Sequence, residues 1–78
     1  MRGDLPHAVA AEIRAEMARQ KVTQEALGQR VGLRQDQISR RLKCEVPITV
    51  AELGRIADAL GVPATQFLAS RSRPSAAA

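Results

Sequence analysis

Residues 23–42 read TQEALGQRVGLRQDQISRRL, and the way this stretch folds decides the rest. Thr23 is suited to start a helix, because its hydroxyl can accept a bond from a first-turn amide that has no partner of its own. Val22 before it and Leu27 within the helix have the spacing of a hydrophobic staple. Leu27 and Val31 share one face, and Gly32 can take the left-handed conformation that ends a helix. Ile38 and Leu42 repeat the four-residue spacing beyond the turn, so a second helix buries one side there. That second helix is rich in glutamine and arginine.

Working outward, the chain predicts three further helices. The first runs from Asp4, a candidate cap, to about Gln20, with Pro6 tolerated in its opening turn. Val9, Ile13 and Met17 make a single apolar stripe along it. The second and third span about 24–31 and 35–43. Pro47 makes 45–48 a loop. Thr49 and Glu52 have the T-x-x-E pattern of a capping box, and Ile48 with Leu53 that of a second staple. The fourth helix then runs to Leu60, burying Val50, Leu53, Ile56, Ala57 and Leu60, and stops at Gly61. Pro63 is placed to open a short fifth helix carrying Phe67 and Leu68. The expected organisation is a loose start at 1–3, one domain over 4–69, and a flexible tail over 70–78. Two helices joined at an angle by a short glycine turn make a helix-turn-helix, a unit that fits the DNA major groove.

Composition narrows the alternatives. Seventy-eight residues suffice for one small domain, and the 45% hydrophobic content comes mainly from aliphatic side chains, with Phe67 the sole aromatic. This favours a compact all-α bundle. The single cysteine, Cys44, excludes an internal disulfide and a cysteine-based zinc site, so no metal and no cofactor are expected. No apolar run approaches the roughly 18 residues that span a bilayer, and no signal-peptide core is visible, so a cytoplasmic protein with no membrane partner is expected. Catalysis is not expected either: His7 is the only histidine, and neither an acid pair nor a phosphate-cradling glycine loop appears.

The charge is informative by its placement. Arg30, Arg34, Arg40, Arg41 and Lys43 are opposed within 30–43 only by Asp36, so this stretch carries the entire net charge of +4. The seven basic and seven acidic residues elsewhere cancel. A cluster of this kind is either a solvated helix face or a phosphate-binding surface, and its coincidence with a helix-turn-helix favours the second.

From Ile13 to Leu68 the chain resembles the Cro and lambdoid-repressor type of helix-turn-helix domain, also called the xenobiotic-response-element type. The resemblance rests on TQEAL, on RVGLRQDQIS across the turn, and on ELGRIADALGVPATQFL. The form ISRRLKCEVPITVAEL looks most like small regulators of actinobacteria and their phages. The resemblance implies a five-helix lambda-repressor-like DNA-binding domain with the helix-turn-helix at helices 2 and 3. Three positions depart from the family pattern. Gly28 stands where alanine is common, at a helix-propensity cost of about 1 kcal/mol. Arg34 replaces the usual Ser or Thr cap, which predicts a frayed start to the third helix before DNA binds. Arg41 stands where many members carry an apolar residue, and its aliphatic stem can cover the core edge.

Turning Ile38 and Leu42 inward, at 100° per residue, points Asp36, Arg40 and Lys43 outward, with Gln35 and Ser39 on one flank and Gln37 on the other. The resemblance assigns base reading to Gln35, Asp36 and Arg40. Glutamine matches adenine and arginine matches guanine. Asp36 either aims Arg40 through an i,i+4 pair, or accepts from a cytosine amino group, or is an ordinary exposed ion pair. The matching glutamine of the family anchors a phosphate, which gives Gln24 that role at the start of the second helix. Arg34, Arg41 and Lys43 are the other phosphate candidates, with Gln37 and Ser39 as further contacts. Neutralising about four phosphates per subunit predicts a log–log salt slope of roughly −4.

These features imply a sequence-specific double-stranded DNA-binding transcriptional regulator, acting by promoter occlusion in a bacterial or phage-infected cytoplasm. An inverted-repeat operator would match a homodimer, formed in solution or only on DNA, with Phe67 and Leu68 as candidate dimer contacts, the alternative being that they close the core of their own chain. No seat for a small-molecule ligand is visible. The alternative is an antitoxin-like or other protein-interaction module on the same fold.

Overall fold

The computed structural model describes the backbone of residues 4–72 and the side chains of residues 6–68. The elements are α1 (Asp4–Gln20), α2 (Gln24–Val31), α3 (Gln35–Leu42), α4 (Val50–Leu60) and α5 (Thr65–Ser72), with no strand among the described residues. Helix α3 ends one residue earlier than its pattern predicts, with Lys43 as its C-cap. The Pro63 carbonyl accepts from the Gln66 amide at 2.9 Å, a turn that leads into α5. Helix α5 begins two residues beyond Pro63 and runs to Ser72, past the tail boundary expected at residue 70. The expected cap role of the Asp4 side chain, and the loose ends expected at 1–3 and 73–78, lie outside the described residues.

The core follows the apolar periodicities. Val9, Ile13 and Met17 of α1 are buried, together with Leu27 and Val31 of α2, Ile38 and Leu42 of α3, and Ile56, Ala57 and Leu60 of α4. Each large side chain among them contributes about 1.5–3 kcal/mol of transfer free energy. Helix α1 packs against α3, α4 and α5, while α2 sits between α3 and α4. Phe67 fills the centre at 0% exposure. This overturns Phe67 as a dimer contact, since a side chain with no exposed surface offers none to a second chain. Val50 also departs from expectation: it is 87% exposed, because the first residue of α4 faces solvent.

One buried polar group was not anticipated from the pattern. Glu16, on the inner side of α1, is only 8% exposed. Its Oε1 accepts from Arg19 at 2.7 and 3.1 Å and from Gln66 at 2.9 Å, and its Oε2 accepts from Gln20 at 2.8 Å. Gln20 also donates to the Leu60 carbonyl at 2.7 Å, so the cluster joins α1 to the end of α4 and to α5. Bonds from Gln20, then Arg19 and Gln66, hold the Glu16 carboxyl below the usual range despite its burial.

Each of helices α1 to α4 is followed within two residues by a left-handed one. Gly32 and Gly61 suit that conformation, but Lys21 (φ 58°) and Cys44 (φ 64°) adopt it with a β-carbon. At Cys44 the turn is held by Glu45 N–H donating to the Arg40 carbonyl at 2.9 Å.

Candidate nucleic-acid interface

The turn between α2 and α3 is built as its sequence suggests. Thr23 caps α2, its Oγ1 accepting from the Ala26 amide at 3.0 Å. At the far end, the Gly28 carbonyl accepts from both Gly32 and Leu33 amides, at 2.8 and 2.9 Å. The chain doubles back so tightly that a β-carbon on Gly28 would collide with the Leu33 carbonyl oxygen and lie 3.3 Å from its carbon. The alanine common in the family has no room here unless the turn moves. Gly28 is therefore a packing requirement of this turn as well as a propensity cost.

Ile38 and Leu42 anchor α3 inward, and the polar residues distribute around the helix accordingly. Gln35, Asp36, Arg40 and Lys43 are exposed, while Gln37, Ser39 and Arg41 are half-buried. Among the described residues Arg40 and Lys43 have no side-chain hydrogen bond to the protein. Gln24 stands half-buried at the first residue of α2, beside a shallow hollow that Arg14, Thr23 and Leu42 also line. Arg14 was not singled out by its sequence position. Its Nη1 donates to the Leu42 carbonyl at 2.6 Å, so it caps the end of α3 from α1. Arg30 plays the same part for α4, donating to the Ala59 carbonyl at 3.1 Å. Part of the basic cluster is thus spent on holding helix ends.

Three expectations about α3 are corrected. First, its start is not open. An arginine side chain cannot accept a bond, but Gln37 reaches back and its Oε1 accepts from the Arg34 amide at 2.9 Å. That is half of a capping box, supplied from the far side. Second, Asp36 pairs with Arg34 and not with Arg40: Arg34 Nε and Nη2 donate to its two carboxylate oxygens at 3.1 and 3.4 Å. The Arg34 bond lowers the Asp36 pKa, and Arg40 contributes only a weaker attraction through space. Third, Arg41, a phosphate candidate by its position, is already engaged within the protein. Its Nε and Nη2 bond side-on to Glu52 of α4 at 3.1 and 3.2 Å, and its Nη1 donates to the Gln37 carbonyl at 2.9 Å. The pair is only 15% and 12% exposed on its two sides. The Arg41 bond is the main cause of the lowered Glu52 pKa, aided by the Thr49 amide.

Away from α3, Leu68 is 40% exposed and lines an apolar groove of about 450 Å³ with Val9, Val46, Ile48 and Leu53. Among the described residues no helix is long and apolar enough to cross a membrane, and no three metal-ligating side chains come together.

Five helices with this turn, one member seated on the core and presenting polar side chains outward, define a helix-turn-helix domain. The Helix-turn-helix family matches residues 13–67. The chain belongs to that family, in its Cro and lambdoid-repressor type. The family is one of DNA-binding regulators, and membership in it suggests double-stranded DNA as the partner. A comparison with curated proteins and one with solved structures each found no match.

Proposed function

We propose that this protein is a sequence-specific transcriptional repressor that reads an operator with α3 and blocks polymerase by occupying the promoter. The observation that carries this reading is the sidedness of α3. Ile38 and Leu42 are locked into the core, while Gln35, Asp36, Arg40 and Lys43 stand exposed on the other side. Gln35 can present a donor and an acceptor together to adenine, and Arg40 can present two donors to guanine. Lys43 and Arg34 lie at the two ends of the helix, where the DNA backbones flank a major groove. The Arg34–Asp36 pair is 72% and 50% exposed, so exchanging its carboxylate for a phosphate costs little. The exchange releases Asp36 to accept from a cytosine amino group. Gln24 lies at the start of α2, where free amides favour a phosphate. Leu68 and its groove are the proposed contact of a two-fold dimer on an inverted repeat.

Selection of bound duplexes from a random pool tests the reading, followed by titration of the selected duplex against a shuffled one. A defined half-site should emerge. With Arg41 engaged inside the protein and Arg40 assigned to a base, two cationic phosphate ligands remain (Arg34 and Lys43), and the log–log salt slope should be about −2 per subunit. Equal binding to the shuffled duplex, or affinity that hardly responds to salt, contradicts the reading.

A further inference from the structure

We propose that the Arg41–Glu52 pair is a positioning latch that fixes the angle of α3 and thereby sets sequence discrimination without touching DNA. The proposal rests on α3 being the base-reading helix. The apolar contacts of Ile38 and Leu42 hold α3 to the core, but such contacts are non-directional and permit a helix to roll or slide. A side-on arginine–carboxylate pair does not, because two parallel bonds fix both distance and orientation. Here the two bonds, at 3.1 and 3.2 Å, join the last turn of α3 to the first turn of α4.

The bonding continues on both sides of the pair. Glu52 Oε1 also accepts from the Thr49 amide at 3.1 Å, and Thr49 Oγ1 accepts from the Glu52 amide at 3.0 Å, so the carboxylate is itself held by the capping box of α4. Arg41 Nη1 donates to the Gln37 carbonyl at 2.9 Å, and Gln37 Oε1 accepts from the Arg34 amide at 2.9 Å. An unbroken chain of contacts therefore runs from Thr49 through Glu52, Arg41 and Gln37 to Arg34, the residue just before Gln35 and Asp36. Turning Arg41 away toward a phosphate would strand the Glu52 carboxylate, 12% exposed, without its cation and in the negative field of DNA.

Glu52→Gln tests the latch. Glutamine keeps an acceptor for the Thr49 amide, so the capping box survives, but it loses the charge and one of the two acceptor oxygens facing Arg41. Removing a negative charge by itself strengthens attraction to any duplex. The latch predicts the opposite for the operator: the ratio of selected to shuffled affinity falls about tenfold, with the salt slope unchanged. Tenfold corresponds to about 1.4 kcal/mol, within the range for one misaligned bidentate base contact. Arg41→Lys, which keeps the charge but not the side-on geometry, should lower the ratio in the same way and provides the test should Glu52→Gln fail to fold. A ratio unchanged in both variants overturns the latch. So does Arg41→Gln weakening both duplexes equally with a salt slope shallower by about 1, the mark of a direct phosphate ligand. Arg40→Ala in the same assay separates the two claims. If Arg40→Ala lowers the ratio while Glu52→Gln does not, only the latch falls; if neither lowers it, α3 is not the reading helix and both fall.

Discussion

Helix α3 carries two arginine–carboxylate pairs of similar bond length and different surroundings. Arg34–Asp36, across its first turn, is 72% and 50% exposed; Arg41–Glu52, between its last turn and α4, is 15% and 12% exposed. In the first pair water competes for every donor, so the bond is worth little and can be traded for a phosphate or a base. In the second, the partners are shielded and each makes a further bond to backbone, so separating them strands a charge. On the proposed reading the same chemistry serves exchange at one end of the helix and fixation at the other. Charge alone then does not choose the phosphate ligands around α3, because exposure separates Arg34 and Lys43 from Arg41.

The comparison breaks if the two pairs respond alike to truncation. Arg41→Ala should cost about 2 kcal/mol and lower the melting temperature by roughly 10 °C, whereas Arg34→Ala should move it by less than about 3 °C. Differential scanning calorimetry at neutral pH reads both, and equal losses would erase the distinction. Acid gives a smaller and independent reading. The Glu52 carboxyl, bonded by Arg41, and the Glu16 carboxyl, bonded by Gln20, Arg19 and Gln66, are both held below the ordinary range. A depressed folded-state pKa gives stability that is full above the unfolded value and is lost as pH falls through the folded one. The melting temperature should therefore be level near neutrality and fall as pH drops below about 5. Glu52→Gln should flatten that fall more than Asp36→Asn, because the Asp36 carboxyl is lowered by a bond that solvent shares.

Much of this molecule is legible before its coordinates. The stripes Val9–Ile13–Met17 and Ile38–Leu42, the cap at Thr23, the capping box at Thr49 and the stop at Gly61 are local patterns, and local patterns fix helices and their buried faces. What was not legible depends on pairs far apart in the chain. Glu52 lies eleven residues from Arg41, and Arg14 twenty-eight from Leu42; spacing along one helix says nothing about either. The i,i+4 rule offers Arg40 as a partner for Asp36, while Arg34 reaches it from outside the helix. Phe67 was open between core and interface on sequence grounds, and only its zero exposure decides for the core.

The central claim is that the exposed side of α3 reads bases and that Arg40 is one of the readers. Binding of Arg40→Ala to the selected operator and to each of its single-base-pair variants tests it most directly. Discrimination should collapse at one base pair, or two adjacent ones, by about 1–3 kcal/mol and persist elsewhere. An equal loss at every position would make Arg40 one more phosphate contact and would contradict the account.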